Sequence, residues 1–116
     1  MSLNRVCHIE FAATDIARSR RFFEGLFGWT FQQFTDEMVI FGDGEDHIGG
    51  LMKAAEVSPG ESPSVWIKVS SIDDLLAKTP ALGGSVLRAK TELSHVGFSA
   101  QVSDPDGNPV GLVEYV

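Results

Sequence analysis

The chain repeats its own pattern at an offset of 56 residues, without a gap. Seven positions of the amino-terminal part fall on matching positions of the second half: Ile9 on Val65, Phe11 on Ile67, Ala13 on Val69, Ile16 on Ile72, Leu26 on Leu82, Gly28 on Gly84 and Thr30 on Val86. A repeat this long that occurs only twice indicates two packed modules, because solenoids are built from a larger number of repeats. Two packed modules share a cleft, and we expect the function to lie there.

Length and charge set broad limits on the class of protein. A chain of 116 residues is one domain by size, so the two modules are expected to share one core. Sixteen acidic and nine basic residues give a formal net charge of −7, which repels a phosphate backbone or an anionic membrane. We therefore expect neither nucleic acid nor a membrane as partner. Cys7 is the single cysteine, and the chain shows no signal peptide or long apolar run, which favours a cytoplasmic protein.

Module one, about residues 5–53, reads as β-α-β-β-β. Its first strand, 6–11, places Cys7, Ile9 and Phe11 on the face toward a helix, and His8 and Glu10 on the other face. The helix follows a cap at Thr14 or Asp15 and ends at Gly28, and strands are predicted over 29–34, 38–41 and 48–53.

Module two, about residues 64–116, repeats this order after a linker over 54–63 that is rich in Ser, Pro and Gly. We predict strands over 64–70, 85–88, 96–102 and 110–115, and a helix over 71–82 that Pro80 kinks or shortens. The run from Asp104 to Asn108 is typical of a turn. The fold class is therefore α+β, with two paired β-α-β-β-β modules in a single domain, 1–116.

Several motifs give the chain a family resemblance. They are His8, Thr14-Asp15-Ile16, the run from Arg21 to Trp29, Gly49-Gly50-Leu51-Met52, and the run from Asp104 to Leu112. With these motifs the chain resembles the vicinal oxygen chelate superfamily, which holds glyoxalase I, extradiol dioxygenases and bleomycin-resistance proteins, and within it the small proteins related to lactoylglutathione lyase. The resemblance implies an incomplete curled barrel (the glyoxalase-like fold), a concave side that holds metal and ligand, and commonly a homodimer.

The same resemblance locates the four positions from which active family members hold a divalent metal. They correspond here to His8, Gly50, Ser64 and Gly111, and taking Gly49 instead of Gly50 changes nothing, since neither glycine can coordinate through a side chain. A catalytic zinc keeps about three protein ligands, so one histidine holds a metal poorly. We therefore predict a degenerate metal site and no metal cofactor. A bound divalent metal, with help from Glu10, is the less favoured alternative.

The candidate ligand-binding residues are those expected on the concave side: His8, Glu10, Gly50, Ser64, Trp66, Phe98 and Gly111. His8 and Glu10 are the candidates for acid–base catalysis. The alternatives are that His8 is a hydrogen-bonded histidine with a structural role only, and that Glu10 forms an ordinary ion pair with Lys68 or Arg88. Trp66 either stacks on a ligand or fills the barrel. The glycines either leave an open cavity or permit close approach of strands.

Other conspicuous residues indicate structure rather than chemistry. His47 beside Glu45-Asp46 and His95 at a hairpin tip are predicted to be solvated. The run from Gly42 to Asp46 lacks the loop length of an EF-hand and is predicted to be a turn. Cys7 is predicted to be buried.

Two functions from different classes follow. In the first, the protein binds a small organic molecule in a cleft without metal, as the resemblance to bleomycin-resistance proteins permits. In the second, it is a divalent-metal-dependent lyase, isomerase or dioxygenase whose ligands come from unexpected positions. The number of available ligands favours the first. A homodimer is expected in either case, because incomplete barrels leave sheet edges that must be covered.

Overall fold

The computed structural model describes residues 3–58 and 60–116, so Pro59 of the predicted linker lies outside the described residues. The chain divides into two compact units, Cys7–Ser64 and Val65–Val116, and the described residues before Cys7 belong with the second. Module one lies in the former unit and module two in the latter, apart from Val6 and Ser64, the first residues of their opening strands. Each module has four strands and one α-helix in the order β-α-β-β-β. This combination of strands and helices confirms the α+β class. No helix of the described residues has the length and apolarity needed to cross a membrane.

Module one consists of β1 (Val6–Ala13), α1 (Ile16–Phe27), β2 (Thr30–Thr35), β3 (Met38–Gly42) and β4 (His47–Lys53). Its strands lie in the order β2-β3-β4-β1. The β1–β4 pair is parallel, and the other two pairs are antiparallel. Helix α1 carries the chain back so that β2 runs in the direction of β1, and the two reversals that follow give β4 this direction again.

Module two consists of β5 (Ser64–Lys68), α2 (Ile72–Lys78), a 3₁₀ helix (Pro80–Leu82), β6 (Ser85–Leu93), β7 (Gly97–Ser103) and β8 (Pro109–Tyr115). Its strands lie in the equivalent order, β5-β8-β7-β6, and β5–β8 is again the parallel pair. The segment 54–63 separates β4 from β5.

The gapless repeat is confirmed by the helix caps. Asp15 and Ser71, 56 positions apart, each cap the first turn of their helix by accepting a hydrogen bond, from the backbone N–H of Arg18 and of Asp74 respectively. The register agrees, because Glu10 pairs with Gly50 in module one and Trp66 pairs with Gly111 in module two. Gly50, and not Gly49, is therefore the equivalent of Gly111.

The two helices end differently. Gly28 ends α1 in a left-handed conformation with φ of 70°, which a residue without Cβ adopts at no steric cost. Helix α2 ends at Lys78, because Pro80 cannot donate the next backbone hydrogen bond, and the chain continues as the 3₁₀ turn. Pro80 therefore shortens the helix, as predicted.

Each module has its own cluster of buried side chains. The cluster of module one is centred on Val39, Phe41 and Leu51, and that of module two on Val69, Ile72, Ala100 and Leu112. The offset of 56 also predicts that Ile9 and Val65 occupy equivalent core positions. Ile9 is half-buried, but Val65 is 38% exposed, so the expectation is wrong for Val65.

Candidate ligand-binding site

Strand β1 separates an apolar face from a polar one, as its alternation predicted. Phe11 packs against Phe23 of α1, with ring centroids 4.9 Å apart, and Cys7 is buried. His8 and Glu10 have the opposite parity along the strand and therefore lie on the other face. Both are largely shielded from solvent, with side chains 15% and 21% exposed.

A chain of hydrogen bonds joins three titratable side chains of module one. His8 Nε2 lies 3.2 Å from Glu10 Oε1, and His8 Nδ1 lies 2.9 Å from His47 Nε2. When His8 is neutral with its proton on Nε2, Nε2–H donates to Glu10, and Nδ1 accepts a hydrogen bond from Nε2–H of His47. When His8 is protonated, it donates at both nitrogens and His47 accepts. The arrangement can therefore pass a proton along its length, and imidazole and carboxylate are the groups that acid–base catalysis most often uses.

His47 is the site residue that the sequence analysis missed. It is exposed, as predicted, but it is the first residue of β4 and not a solvated loop side chain. The pairing of β3 with β4 shifts register between Phe41 and Gly42, so that Gly42 lies opposite His47 rather than Ile48. A shift of one residue moves a side chain to the other face of a strand, here the face of His8 and Gly50. Only this irregularity could have identified His47, and a regular alternation does not predict it.

The environment of His47 lowers its pKa below the ordinary value of 6.5. The residue as a whole is exposed, but its ring stacks on that of His8, with centroids 5.1 Å apart, and loses water there. This partial desolvation is the larger cause, because it disfavours the charged form, and the nearby positive charge of protonated His8 is the second. A native pKa below that of the unfolded chain means that unfolding takes up a proton. The contribution of His47 to the free energy of unfolding therefore decreases as the pH falls below about 6.5.

An NMR titration of the imidazole resonances should show this directly. We expect His47 in the wild type to titrate below 6.5, and in His8→Gln to titrate higher while remaining below 6.5, because the larger cause, burial, persists. His95, exposed at the β6–β7 turn, is an internal control. An unchanged His47 pKa in His8→Gln would contradict the coupling between the two rings.

Two strand positions of the predicted site are glycines, Gly50 and Gly111, and a side chain at each would meet a different neighbour. A Cβ at Gly50 would lie 3.3 Å from Cε1 of His8, so any side chain there would face the imidazole. A Cβ at Gly111 would overlap Cδ2 and Cε3 of Trp66. The indole therefore lies directly against the backbone of β8, in the space that a side chain at position 111 would need.

Two predicted site residues of the module two half, Ser64 and Phe98, lie on opposite faces of their strands. Ser64 is half-buried at the start of β5, two residues before Trp66 and so on the same face. Phe98 lies on the opposite face and packs with the cluster formed by Val69, Ile72, Ala100 and Leu112. The assignment of Phe98 to the ligand side is therefore corrected. It pairs with Glu114, whereas Gly111 pairs with Gln101, and these two rungs have opposite parity.

Glu10 has its ionic partner on its own strand, His8. Because His8 is already bound at both nitrogens, and because these lie on opposite edges of the ring, Glu10 and His47 do not converge with it on one point. Among residues 3–58 and 60–116, no group of three or more His, Cys, Asp or Glu side chains is arranged to hold a metal. The residues present therefore do not fit the divalent metal that the fold family implies.

The fold and these positions define a two-module protein of the glyoxalase type. A family model matches residues 5–112, and the chain belongs to this family, the Glyoxalase/Bleomycin resistance protein/Dioxygenase superfamily. The chain is 26% identical over 127 residues to the virulence protein STM3117 of Salmonella typhimurium, an alignment that covers 100% of this chain and 88% of the relative.

Solved structures show the same fold. A superfamily member from Vibrio splendidus 12B01 superposes with a TM-score of 0.71 at 22% identity, over 96% of this chain and 98% of that one. Methylmalonyl-CoA epimerase from Mycobacterium tuberculosis superposes with a TM-score of 0.75 at 14% identity, over 100% of this chain and 91% of that one. At these identities the likeness concerns the fold alone, which hosts several activities.

Proposed function

We propose that this superfamily member binds a small organic ligand and does so without a tightly bound metal. The observation that carries the proposal is the state of His8, the one side chain at a family metal position that can coordinate. Both of its nitrogens are hydrogen-bonded, to Glu10 and His47. The equivalent positions, Gly50, Gly111 and Ser64, offer no imidazole or carboxylate.

The same residues support a role in ligand binding. Glu10 uses one carboxylate oxygen on His8 and keeps the other as an acceptor that is largely shielded from water, where a hydrogen bond to a ligand is stronger than on an open surface. Trp66 offers an aromatic surface, which stacks on planar groups. Small-molecule sites commonly use a few polar groups and aromatic side chains, and each module supplies one of these two kinds of group.

Metal analysis tests the first half of the proposal. The purified protein is incubated with nickel, zinc, manganese and iron(II), dialysed, and its metal content measured. We expect well below one equivalent for each metal, because the donors do not converge, and we expect His8→Ala to retain no less than the wild type. One equivalent that survives dialysis and vanishes in His8→Ala would contradict the proposal.

The alternative, a divalent-metal-dependent lyase, isomerase or dioxygenase, gains one argument from the structure. With His47, module one holds two imidazoles and a carboxylate in one chain of contacts, and this is the donor set of many catalytic metal sites. If this alternative holds, His47→Ala lowers the retained metal as strongly as His8→Ala does, whereas His95→Ala leaves it unchanged.

We further propose that the protein is a cytoplasmic homodimer. Helix α1 exposes large apolar side chains, among them Phe22, Leu26 and Phe27, which are 58%, 61% and 57% exposed in the single chain. Apolar surface of this kind is commonly covered by a second protein surface.

A further inference from the structure

Arg88 is turned out of the regular pattern of its strand. Before it in β6, Val86 pairs with Val102, and after it, Thr91 pairs with Ser99. Continued without a break, either register would place Arg88 on the same face as Ala100 and Val102, toward the apolar cluster of module two. The register shifts on both sides of Arg88, and it lies opposite Gln101 instead.

These two shifts place Arg88 on the face of Trp66. Gln101 pairs with Gly111, and Gly111 pairs with Trp66, so these three residues and Arg88 form one rung across the sheet of module two. The guanidinium carbon lies 5.9 Å from the centroid of the Trp66 ring. Bulges that re-aim one side chain are common beside functional sites.

The guanidinium of Arg88 is positioned but not neutralised. Its Nη2 donates to Ser99 Oγ at 2.9 Å, and Ser99 is 2% exposed, so the side chain is anchored. The carboxylates of the described residues form no ion pair with Arg88, whereas Arg20 pairs with Glu24 and Lys90 pairs with Asp73. A half-buried cation without a counter-ion is unusual in a chain of net charge −7.

We propose that Arg88 and Trp66 form an anion-binding subsite, and that the ligand of this protein is a small aromatic carboxylate. The proposal rests on the ligand-binding function inferred above and names its chemical class. A guanidinium has five N–H donors in a planar fork that matches a carboxylate, and Ser99 uses only one of its nitrogens. The indole beside it binds an aromatic ring. Gln101 on the same rung adds an amide.

Matched pairs of probes test the subsite. Benzoate, phenylacetate and salicylate are each titrated against the corresponding primary amide at low ionic strength, with binding followed by calorimetry and by tryptophan fluorescence. We expect at least one carboxylate to bind the wild type roughly tenfold or more tightly than its amide, since a charged hydrogen bond is worth about 1.5–3 kcal/mol. Arg88→Gln should remove this preference, and Arg88→Lys should retain part of it. Arg21→Gln, which removes an exposed charge of α1, is the control and should leave binding unchanged.

The outcomes separate this inference from the function on which it rests. Equal binding of amide and carboxylate by the wild type, or an unchanged preference in Arg88→Gln, would show that Arg88 only anchors Ser99 and Trp66, while ligand binding itself would stand. Binding of no probe would overturn both. If Arg88→Gln does not fold, the test is the preference of the wild type for the carboxylate over its amide, together with the partial retention of that preference in Arg88→Lys.

Discussion

Gly49→Ala is expected to be the most damaging single substitution in module one, with a loss of roughly 3 kcal/mol or more of unfolding free energy. An added Cβ would overlap the carbonyl oxygen of Ile9 and lie 2.8 Å from its carbonyl carbon. These are backbone atoms of the strand that pairs with β4, so no side chain can turn aside. The methyl group therefore forces β1 and β4 apart.

Chemical denaturation followed by circular dichroism measures this effect, and two other glycines serve as controls. Gly50→Ala meets atoms no closer than 3.2 Å, including the Sδ of Met38 and the His8 ring, so its cost should be much smaller. Gly25→Ala, in α1 with no atom within 4 Å of the new Cβ, should stabilise by about 0.5–1 kcal/mol. If Gly49→Ala were as stable as Gly50→Ala, the close approach of β1 to β4 would be wrong.

Gly111→Ala is expected to have the second largest effect, a loss of about 1–3 kcal/mol. Here the overlap is with the Trp66 ring, and an indole can move where a backbone cannot. The movement still costs packing, and it takes the ring away from Arg88. We expect near-ultraviolet circular dichroism to report the displaced indole.

A double-mutant cycle identifies the cause of this loss. In a Trp66→Leu background, Gly111→Ala should cost less than half of what it costs in the wild type, because the atoms that it would meet are gone. Additive effects would show that the indole is not what requires glycine at 111.

Much of the fold could be predicted because it depends on local chemistry. Asp15 and Ser71 cap helices wherever such residues precede an amphipathic run, and Gly28 and Pro80 end or shorten helices through their own backbone restrictions. The parity of β1 placed His8 and Glu10 on one face, since alternation is a property of every extended strand. The offset of 56 then predicts in module two the same order of helix and strands as in module one.

The errors share a different origin. The sequence predicts Phe98 on the ligand side, but its pairing with Glu114 and its packing on the buried cluster of module two place it on the opposite face. Alternation distinguishes the two faces of a strand and does not say which of them a helix covers. Val65 was expected in the core because its counterpart Ile9 is apolar, but the exposure of a side chain depends on what covers it.

The sequence by itself determined the two modules, their order of elements, the helix ends and the absence of an imidazole or carboxylate at Gly50, Ser64 and Gly111. Only the tertiary structure decided the faces on which His47 and Arg88 lie. His47 and Arg88 both lie at shifts in strand pairing, where one extra residue turns a side chain to the other face. The position of such a shift depends on the competition between two strands distant in sequence, so no local pattern in either strand reveals it.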